Sequence, residues 1–527
     1  MKILFIYPKV AETFWSFKHA LRVVRRKSAF PPLGALTVAA MLPQEWEKRL
    51  VDLNVRDLTD ADLRWADYAF ISAMIAQKES TRDVIDRCMH LGVKTVCGGP
   101  LFNSYREDYP DVDHLVLGEG ETSVGQLAKD LSHGCAQRVY EPGPHPPLTD
   151  VPIPLWDLIN MNDYVTMSVQ YSRGCPFDCE FCDIIVMNGR VPRTKSDGQM
   201  LLELDALYSR GWRGSVFIVD DNFIGNKKRV KSLLRNIILW QEKRPRRLTF
   251  FTEASVDLAE DEELMNLMVA AGFNKVFLGI ETPSEESLRE CGKSQNLRRS
   301  LSESVRIIQS HGLAVMGGFI IGFDNDPPDI FQRQVNFIQN NGIVTAMIGL
   351  LTAIPGTRLY KRLENEGRLL FKPSGNNTDI KGSLNFIPKM DRQTIVKGYE
   401  WVMNSIYSPE MYYTRILEFL RHYRPANQAC LESNDFFTFL RSLWYLGIAD
   451  QTGSSKYYWR LIKESLSRYR KSFTETVTVA IYGYHFRNLF YKKWIPLDWE
   501  AWLNWGERNS TGLILGQGQR LQSGSEC

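Results

Sequence analysis

From residue 2 to about residue 120, short runs rich in β-branched and aromatic residues alternate with longer stretches whose apolar positions return at helical spacing. The runs Ile3–Tyr7, Leu50–Leu53, Tyr68–Ser72, Lys94–Cys97 and His114–Leu117 are predicted strands. Strands separated by helices imply parallel βαβ units, so this region is expected to be an open, doubly wound α/β sheet. Ligands of such sheets sit beyond the carboxyl ends of the strands. Here those ends carry Tyr7-Pro8, Ser72-Ala73-Met74, Gly98-Gly99-Pro100 and Gly118-Glu119-Gly120-Glu121. Small residues there let a large flat ligand approach the backbone, although Gly-Gly-Pro after a strand is by itself an ordinary loop.

Residues 141 to 156 hold six prolines, which prohibits continued helix or central strand and predicts an extended linker. Beyond it the alternation resumes, with strands expected at Thr166–Tyr171, Ser215–Val219, Leu248–Thr252, Val276–Ile280, Ala314–Ile321 and Ala346–Leu351. Six parallel strands make an incomplete barrel, open on one side. After Pro355-Gly356-Thr357 the pattern becomes helical and rich in Trp, Tyr, Phe and Arg, as in Glu410–His422 and Ser455–Arg470. The expected boundaries are therefore 1–135 for the first sheet, 136–165 for the linker, 166–365 for the barrel and 366–527 for a mainly helical domain. The Gly-, Ser- and Gln-rich stretch from Gly506 is expected to fray.

Composition narrows the chemistry. The chain has 527 residues, 44% hydrophobic and 24% charged, as expected of several folded domains. Lys plus Arg number 64 against 61 Asp plus Glu, so no global charge points to nucleic acid as a partner. The apolar run at the N-terminus stops at Pro8, too short for a signal sequence, and no stretch is long enough to span a membrane; a cytoplasmic protein is expected. Nine cysteines without an export signal favour metal ligation or buried thiols over disulfides.

Three of those cysteines are informative. Arg173-Gly-Cys-Pro-Phe-Asp-Cys-Glu-Phe-Cys182 places Cys175, Cys179 and Cys182 in a C-x3-C-x2-C run directly after a strand. Three thiolates in one loop can ligate three corners of a [4Fe–4S] cube and leave the fourth iron open. A zinc knuckle wants a fourth Cys or His nearby, and no His lies between His145 and His311.

The loop, with the aromatic Phe181 before its last cysteine, resembles the signature of the radical S-adenosylmethionine (SAM) superfamily. That resemblance implies that SAM chelates the open iron and is cleaved to methionine and a 5′-deoxyadenosyl radical. It implies further that Asp220-Asp221-Asn222, at the end of the second barrel strand, replaces the usual Gly-Gly-Glu that holds the SAM ammonium. Glu281 matches the ribose-contacting position after the fourth strand, and Gly318 to Gly322 the strand that packs near adenine. Singly, each of these has a bland reading as loop or barrel packing.

A doubly wound domain, a proline linker and this barrel together resemble the cobalamin-binding class of radical SAM proteins, in the subgroup that includes hopanoid and bacteriochlorophyll methylases. By that resemblance Ser72, Met74, Gly98, Gly99, Pro100, Gly118, Glu119, Gly120 and Glu121 line cobalamin, bound as methylcobalamin. No D-x-H-x-x-G motif is present, so no histidine ligand to cobalt is expected; His19 is read as a surface residue. The activity implied is C-methylation of an unactivated carbon in a hydrophobic small molecule, using two SAM per turnover and an electron donor such as flavodoxin or ferredoxin. A cobalamin-dependent radical cyclase or rearrangement enzyme, and a non-catalytic cobalamin or redox sensor, are the alternatives. No single catalytic side chain is assigned from sequence. The helical domain is expected to admit substrate to the barrel mouth through aromatics such as Tyr412, Tyr413, Phe436, Phe437, Trp444 and Tyr445, and to be removable after about residue 370 without loss of cluster assembly. Its basic run from Lys456 to Lys471 reads as a solvated face more readily than as a peripheral membrane contact.

Overall fold

A computed structural model of the chain describes residues 1–375, 380, 382–425, 433–450 and 452–490; the stretch from Gly506 lies outside them. The first sheet contains β1 (Lys2–Tyr7), β2 (Glu47–Asp52), β3 (Tyr68–Ser72), β4 (Lys94–Gly98), β5 (His114–Val116) and β6 (Val139–Tyr140). All six are parallel, in the order β2-β1-β3-β4-β5-β6. The order reverses between β1 and β3, so the crevice where such folds take ligands opens beside Tyr7, Pro8 and Ser72–Met74. Alternating residues feed two separate cores, Leu4, Ile6 and Ile71 on one face and Ile3, Phe5 and Phe70 on the other. Strand β6 lies inside the expected linker, where the Leu117 N–H donates to the Tyr140 carbonyl over 3.0 Å.

The second sheet begins with β7 (Met167–Val169) and then sends out a small antiparallel ribbon, β8 (Ser172–Arg173) with β9 (Arg193–Thr194). It continues through β10 (Ser215–Ile218), β11 (Thr249–Ala254), β12 (Phe273–Glu281), β13 (Ala314–Ile321) and β14 (Thr345–Leu350). These six run in chain order, all parallel, with β7 and β14 as unpaired edges: an open barrel. Val216, Ile218, Val276, Leu278 and Ile280 face the surrounding helices, while Phe217, Phe251 and Phe277 alternate with them and are half-buried on the inner face.

Two distant segments close this barrel. Near the N-terminus, the amides of Val165 and Thr166 donate to the carbonyls of Ser28 and Ala29, at 3.1 Å each, extending the edge at β7. Phe30 then stands 5.5 Å from Phe217, and the Trp15 indole N–H donates to Met347 Sδ at 2.9 Å while its ring meets Phe277 edge-on at 5.2 Å. From the other end of the chain come helices over Arg392–Tyr407, Pro409–His422 and Phe473–Phe490, the first capped by Asp391 and the second started by Pro409. Their contacts fall at the amino ends of the barrel strands. Tyr407 Oη donates to the Ala346 carbonyl, Arg415 to the Val344 carbonyl, and Lys275 lies 3.6 Å from Glu475.

This placement corrects two expectations. The helical unit plugs the barrel floor, opposite the cysteine loop, and does not lead substrate to the mouth. Tyr412 and Tyr413 are buried core, whereas Phe436, Phe437 and Trp444 face outward. The barrel and these helices share one continuous apolar core, which includes Phe14 and Phe490. Among the described residues, no helix is long and apolar enough to cross a membrane.

Candidate functional site

The cysteine loop begins at Gly174, whose φ of +97° favours glycine; a β-carbon there would sit 2.9 Å from the Gly189 carbonyl oxygen. The turn is fixed by Cys175 N–H to Gly189 O at 3.3 Å, Glu180 N–H to Cys291 O at 2.8 Å and Cys182 N–H to Cys179 O at 3.2 Å. Its flank is tied to the far edge of the barrel, where Arg362 joins Glu180 at 2.7 Å and Asp324 at 3.2 Å.

Burial pushes the Cys182 thiol up to about 12 and raises Cys179 as well, the latter offset in part by the Lys293 ammonium. Binding metal here must therefore release protons. Among the described residues, no three His, Cys, Asp or Glu side chains converge as for one shared metal ion. A cubane asks for a different arrangement, because each thiolate takes its own iron. Two side-chain amides also lie over the sulfurs, Asn222 Nδ2 at 3.8 Å from Cys175 and Gln295 Nε2 at 3.9 Å from Cys179, as suits ligands that become anionic. Cys88, Cys97 and Cys291 are buried, with thiols raised by desolvation, and read as core.

The three residues after β10 separate in role. Both Asp220 oxygens are occupied, accepting from the amides of Tyr171 and Ser172 at 2.7 Å each and from Ser172 Oγ at 2.6 Å. Asp220 therefore anchors the approach to the cysteine loop. Asp221 accepts from Asn188 Nδ2 at 3.0 Å and from the Gly174 amide at 3.3 Å. Asn222 lies between Cys175 and Ser255 Oγ, 3.2 Å away.

At the end of β12, Glu281 has a φ of +65° and is paired with Lys293. Gly279 makes room for the pair, since a β-carbon there would lie 2.5 Å from Glu281 Oε1 and 2.6 Å from Lys293 Nζ. Phe181 sits between Lys293, 6.0 Å from its ring centre, and Phe323 at 6.1 Å. Gly318 leaves its space to the Phe277 ring, and Gly322, at φ +111°, turns the chain after β13.

Two residues that sequence reasoning missed belong here. Lys293 follows the short helix Glu285–Glu290 in Cys291-Gly-Lys-Ser and had no motif to mark it. Glu253 sits on β11 two residues after Phe251, so it shares the inner face of the barrel. Burial, then the nearby charges of Asp221 and Asp220, push its carboxyl up to about 8. A lone acid alternating with phenylalanines on a strand was the signal available.

Facing this mouth are the strand ends of the first sheet. The β3 and β4 ends are zipped together, with the Ala73 amide donating to Gly98 O at 3.2 Å and the Leu101 amide to Ala73 O at 3.1 Å. Gly99 caps the short helix that starts at Pro100, Ser72 is half-buried, and Met74 is exposed. Beyond β5, Gly118 donates its amide to Asn103 Oδ1 at 2.9 Å, and Gly120 opens the helix Gly120–His133. Glu119 and Glu121 are engaged in ion pairs. Glu119 accepts from Arg173 at 2.5 Å, Arg193 at 2.7 Å and His145 at 2.8 Å, and Glu121 from Arg173 at 2.7 Å. The four contacts on Glu119 and the bidentate pair on Glu121 clamp the first sheet onto the ribbon that carries the cysteine loop. Tyr105 Oη adds a second bridge, to the Pro373 carbonyl at 3.0 Å. The carboxyl ends of both sheets therefore look at each other. His19 lies elsewhere, 2.8 Å from Glu12 and with its ring 5.6 Å from that of His485.

The fold and the site define a radical SAM barrel joined to a B12-binding domain, and comparison with known proteins agrees. Residues 20–128 match the B12 binding domain, 169–338 the radical SAM superfamily and 357–493 a domain of unknown function (DUF4070). The chain is 46% identical to an uncharacterised methyltransferase of Synechocystis over 79% of its own length and 78% of that protein. It is 36% identical to the hopanoid C-2 methylase of Rhodopseudomonas palustris, over 78% of this chain and 77% of that one. It belongs to the family of B12-binding radical SAM methyltransferases. The cobalamin-dependent SAM radical enzyme OxsB, solved with aqua-cobalamin and SAM, shares the fold at a TM-score of 0.61, 14% identity, and 98% and 82% coverage. The methyltransferase TsrM of Kitasatospora setae, solved with cobalamin and a [4Fe-4S] cluster, does so at 0.58, 15% identity, and 91% and 98% coverage.

Proposed function

We propose that the protein is a cobalamin-dependent radical SAM C-methyltransferase that methylates an unactivated carbon of a hydrophobic, polycyclic or isoprenoid-like molecule. The reading rests on one observation: the small-residue strand ends of the first sheet are clamped by Glu119, Glu121 and Arg173 directly opposite the three-cysteine loop. In this reading residues 1–135 carry cobalamin, 166–365 form the reacting barrel and the described helices within 366–527 complete it. Cys175, Cys179 and Cys182 hold a [4Fe–4S] cluster, and when bound the cofactors supply one electron to SAM and a methyl group to the substrate. Lys293, held by Glu281, offsets the negative charge of the thiolates. Asp221, Asn222, Glu281 and Gly318 face SAM, with Phe181 against it. Ser72, Met74, Gly98, Gly99, Pro100, Gly118 and Gly120 form the cobalamin platform. Phe30, Phe217, Phe251, Phe277 and Trp15 give the chamber an apolar, water-excluding wall.

The substrate class is supported by that wall and by relatives that include hopanoid methylases and a bacteriochlorophyllide methyltransferase. A flavodoxin- or ferredoxin-like donor would deliver the electron. The test is anaerobic turnover with a pentacyclic triterpene and SAM carrying a deuterated methyl. The expected result is 5′-deoxyadenosine together with a product heavier by one labelled methyl. A ring-closed product without label would assign the cyclase reading, and no 5′-deoxyadenosine from fully reconstituted protein would assign the sensor.

A further inference from the structure

We propose that the helix Ser433–Ser442 and its continuation Leu443–Ile448 dock the protein on an anionic lipid bilayer. Phe436 and Leu440 lie four apart on the α-helix and Trp444 and Ile448 four apart on the π-helical turn that continues it; they are 58%, 42%, 57% and 63% exposed, with Phe437 at 56%. Large apolar side chains in such a stripe have no reason to face water unless something covers them. Trp459 extends the surface: its ring stands 2.9 Å from where a β-carbon of Gly447 would be, and it remains 44% exposed.

The charges around the stripe name the occupant. Arg22, Arg25 and Arg441 line one groove with Phe437, Leu440, Trp444 and Tyr445, and no carboxylate lines it among the described residues. Arg441 is fixed by donating Nε to the Val23 carbonyl at 2.6 Å, which holds its charge beside that of Arg25. Arginines with no carboxylate partner among the described residues, next to insertable aromatics, match the phosphates and acyl chains of a membrane surface. A second copy of the chain fits poorly, because a two-fold contact would bring these arginines against one another. The basic helix Ser455–Arg468 is different: Arg460 is paired with Glu464 at 2.9 Å, as on a solvated face. Docking of this kind lies beyond the methyl-transfer reading and does not depend on it. It sets the bilayer against the helix Lys18–Val24, which begins just after Trp15 enters the barrel wall.

Co-sedimentation of the full-length, reconstituted protein with vesicles tests the proposal. Phosphatidylcholine vesicles containing about one third phosphatidylglycerol are expected to bind it at least tenfold more tightly than phosphatidylcholine alone, with binding weakened by salt. Phe437→Ser with Trp444→Ser is expected to reduce binding at least tenfold, and Arg22→Gln with Arg25→Gln to abolish the preference for the anionic lipid. Circular dichroism and iron content of both variants are expected to match the parent. Absence of binding to either vesicle overturns the proposal, as does unchanged binding by the double variants. A concentration-dependent dimer that the serine variants dissolve, with no vesicle binding, would assign the surface to a second copy instead.

Discussion

The barrel is joined to its two neighbours in opposite ways. Toward the first sheet the joint is polar: Glu119, Glu121, Arg173, Arg193 and His145 meet beside the cysteine loop. Toward the C-terminal helices one apolar core is continuous, running from Ile338, Val344 and Ala346 of the barrel into Tyr399, Ile416 and Phe419, with the Lys275–Glu475 pair at its edge. Charge pairs are directional and can be remade in shifted registers, while an interdigitated core has one arrangement. The contrast assigns motion and stability to different places. A unit that must admit a large cofactor and substrate at the mouth is held by ion pairs, and the floor is held by packing.

The strongest way to break this contrast is to remove the floor. Truncation after about residue 370 strips Tyr407, Tyr412, Ile416, Phe419 and Phe486 from the core, each worth about 1.5–3 kcal/mol of burial. Their sum is comparable to a domain's whole stability, ~5–15 kcal/mol, so the truncated chain is expected to be unfolded and iron-free by circular dichroism and metal analysis. A soluble truncated protein that assembles a cluster would show the helices to be a separate domain after all.

Next comes the chemistry at the mouth. Alanine at Cys175, Cys179 and Cys182 together is expected to remove iron and reduce 5′-deoxyadenosine to background while the melting curve stays close to the parent's, because the loop contributes little to the core. Normal 5′-deoxyadenosine formation by that variant would sink the ligand assignment.

A smaller effect is expected at Glu253. Its folded carboxyl is raised to about 8, so it is neutral at pH 7 and stability is lost as pH rises from the ordinary glutamate range through about 8. Glu253→Gln is expected to flatten that loss and keep turnover within about threefold at pH 7, whereas Glu253→Ala is expected to lower turnover about tenfold. Identical pH–stability curves for Glu253→Gln and the parent would show that the carboxyl does not titrate there.

The polar joint is sharpened by Arg173→Met, which leaves Glu121 without its arginine at a cost of about 3 kcal/mol. The expected signature is uncoupling, with more 5′-deoxyadenosine formed per methylated product, and no loss of iron. Glu119 supplies the pH counterpart. Arg193 and Arg173 outweigh its burial and hold its carboxyl below the ordinary value of 4.5, so its share of the clamp is present above that value and lost as pH falls through the lowered one. The smallest effect is expected at His19: the electron paramagnetic resonance of Co(II)-loaded protein should lack nitrogen splitting in the parent and be unchanged in His19→Ala.

Local pattern carried much of this architecture into the sequence. Alternation and strand length marked Tyr68–Ser72 and Ala314–Ile321 at their observed limits, and the cysteine spacing singled out its loop. What stayed hidden depends on partners far along the chain. Strand β6 is two residues long in proline-rich surroundings and exists only because β5 offers it an edge. The hold of Asp220 on the amides of Tyr171 and Ser172 links residues about fifty positions apart and leaves no local mark. Glu119 and Glu121 could be read as cofactor contacts because nothing in their own loop announces Arg173 and Arg193.

The stacking of Phe14 on Phe486 and the bond from His485 to the Phe14 carbonyl join residues 471 or more positions apart. During synthesis this means that these contacts cannot form until the helix Phe473–Phe490 has left the ribosome. At about 5–20 residues per second, roughly 15–60 s pass between translation of Cys182 and that of Phe486. Throughout that interval the three thiols sit on an unfinished wall, open to iron–sulfur delivery and to oxygen alike. The timing of translation thereby becomes part of how the metal site is made, and synonymous codons that slow the final third of the message should lower iron occupancy without changing a single residue.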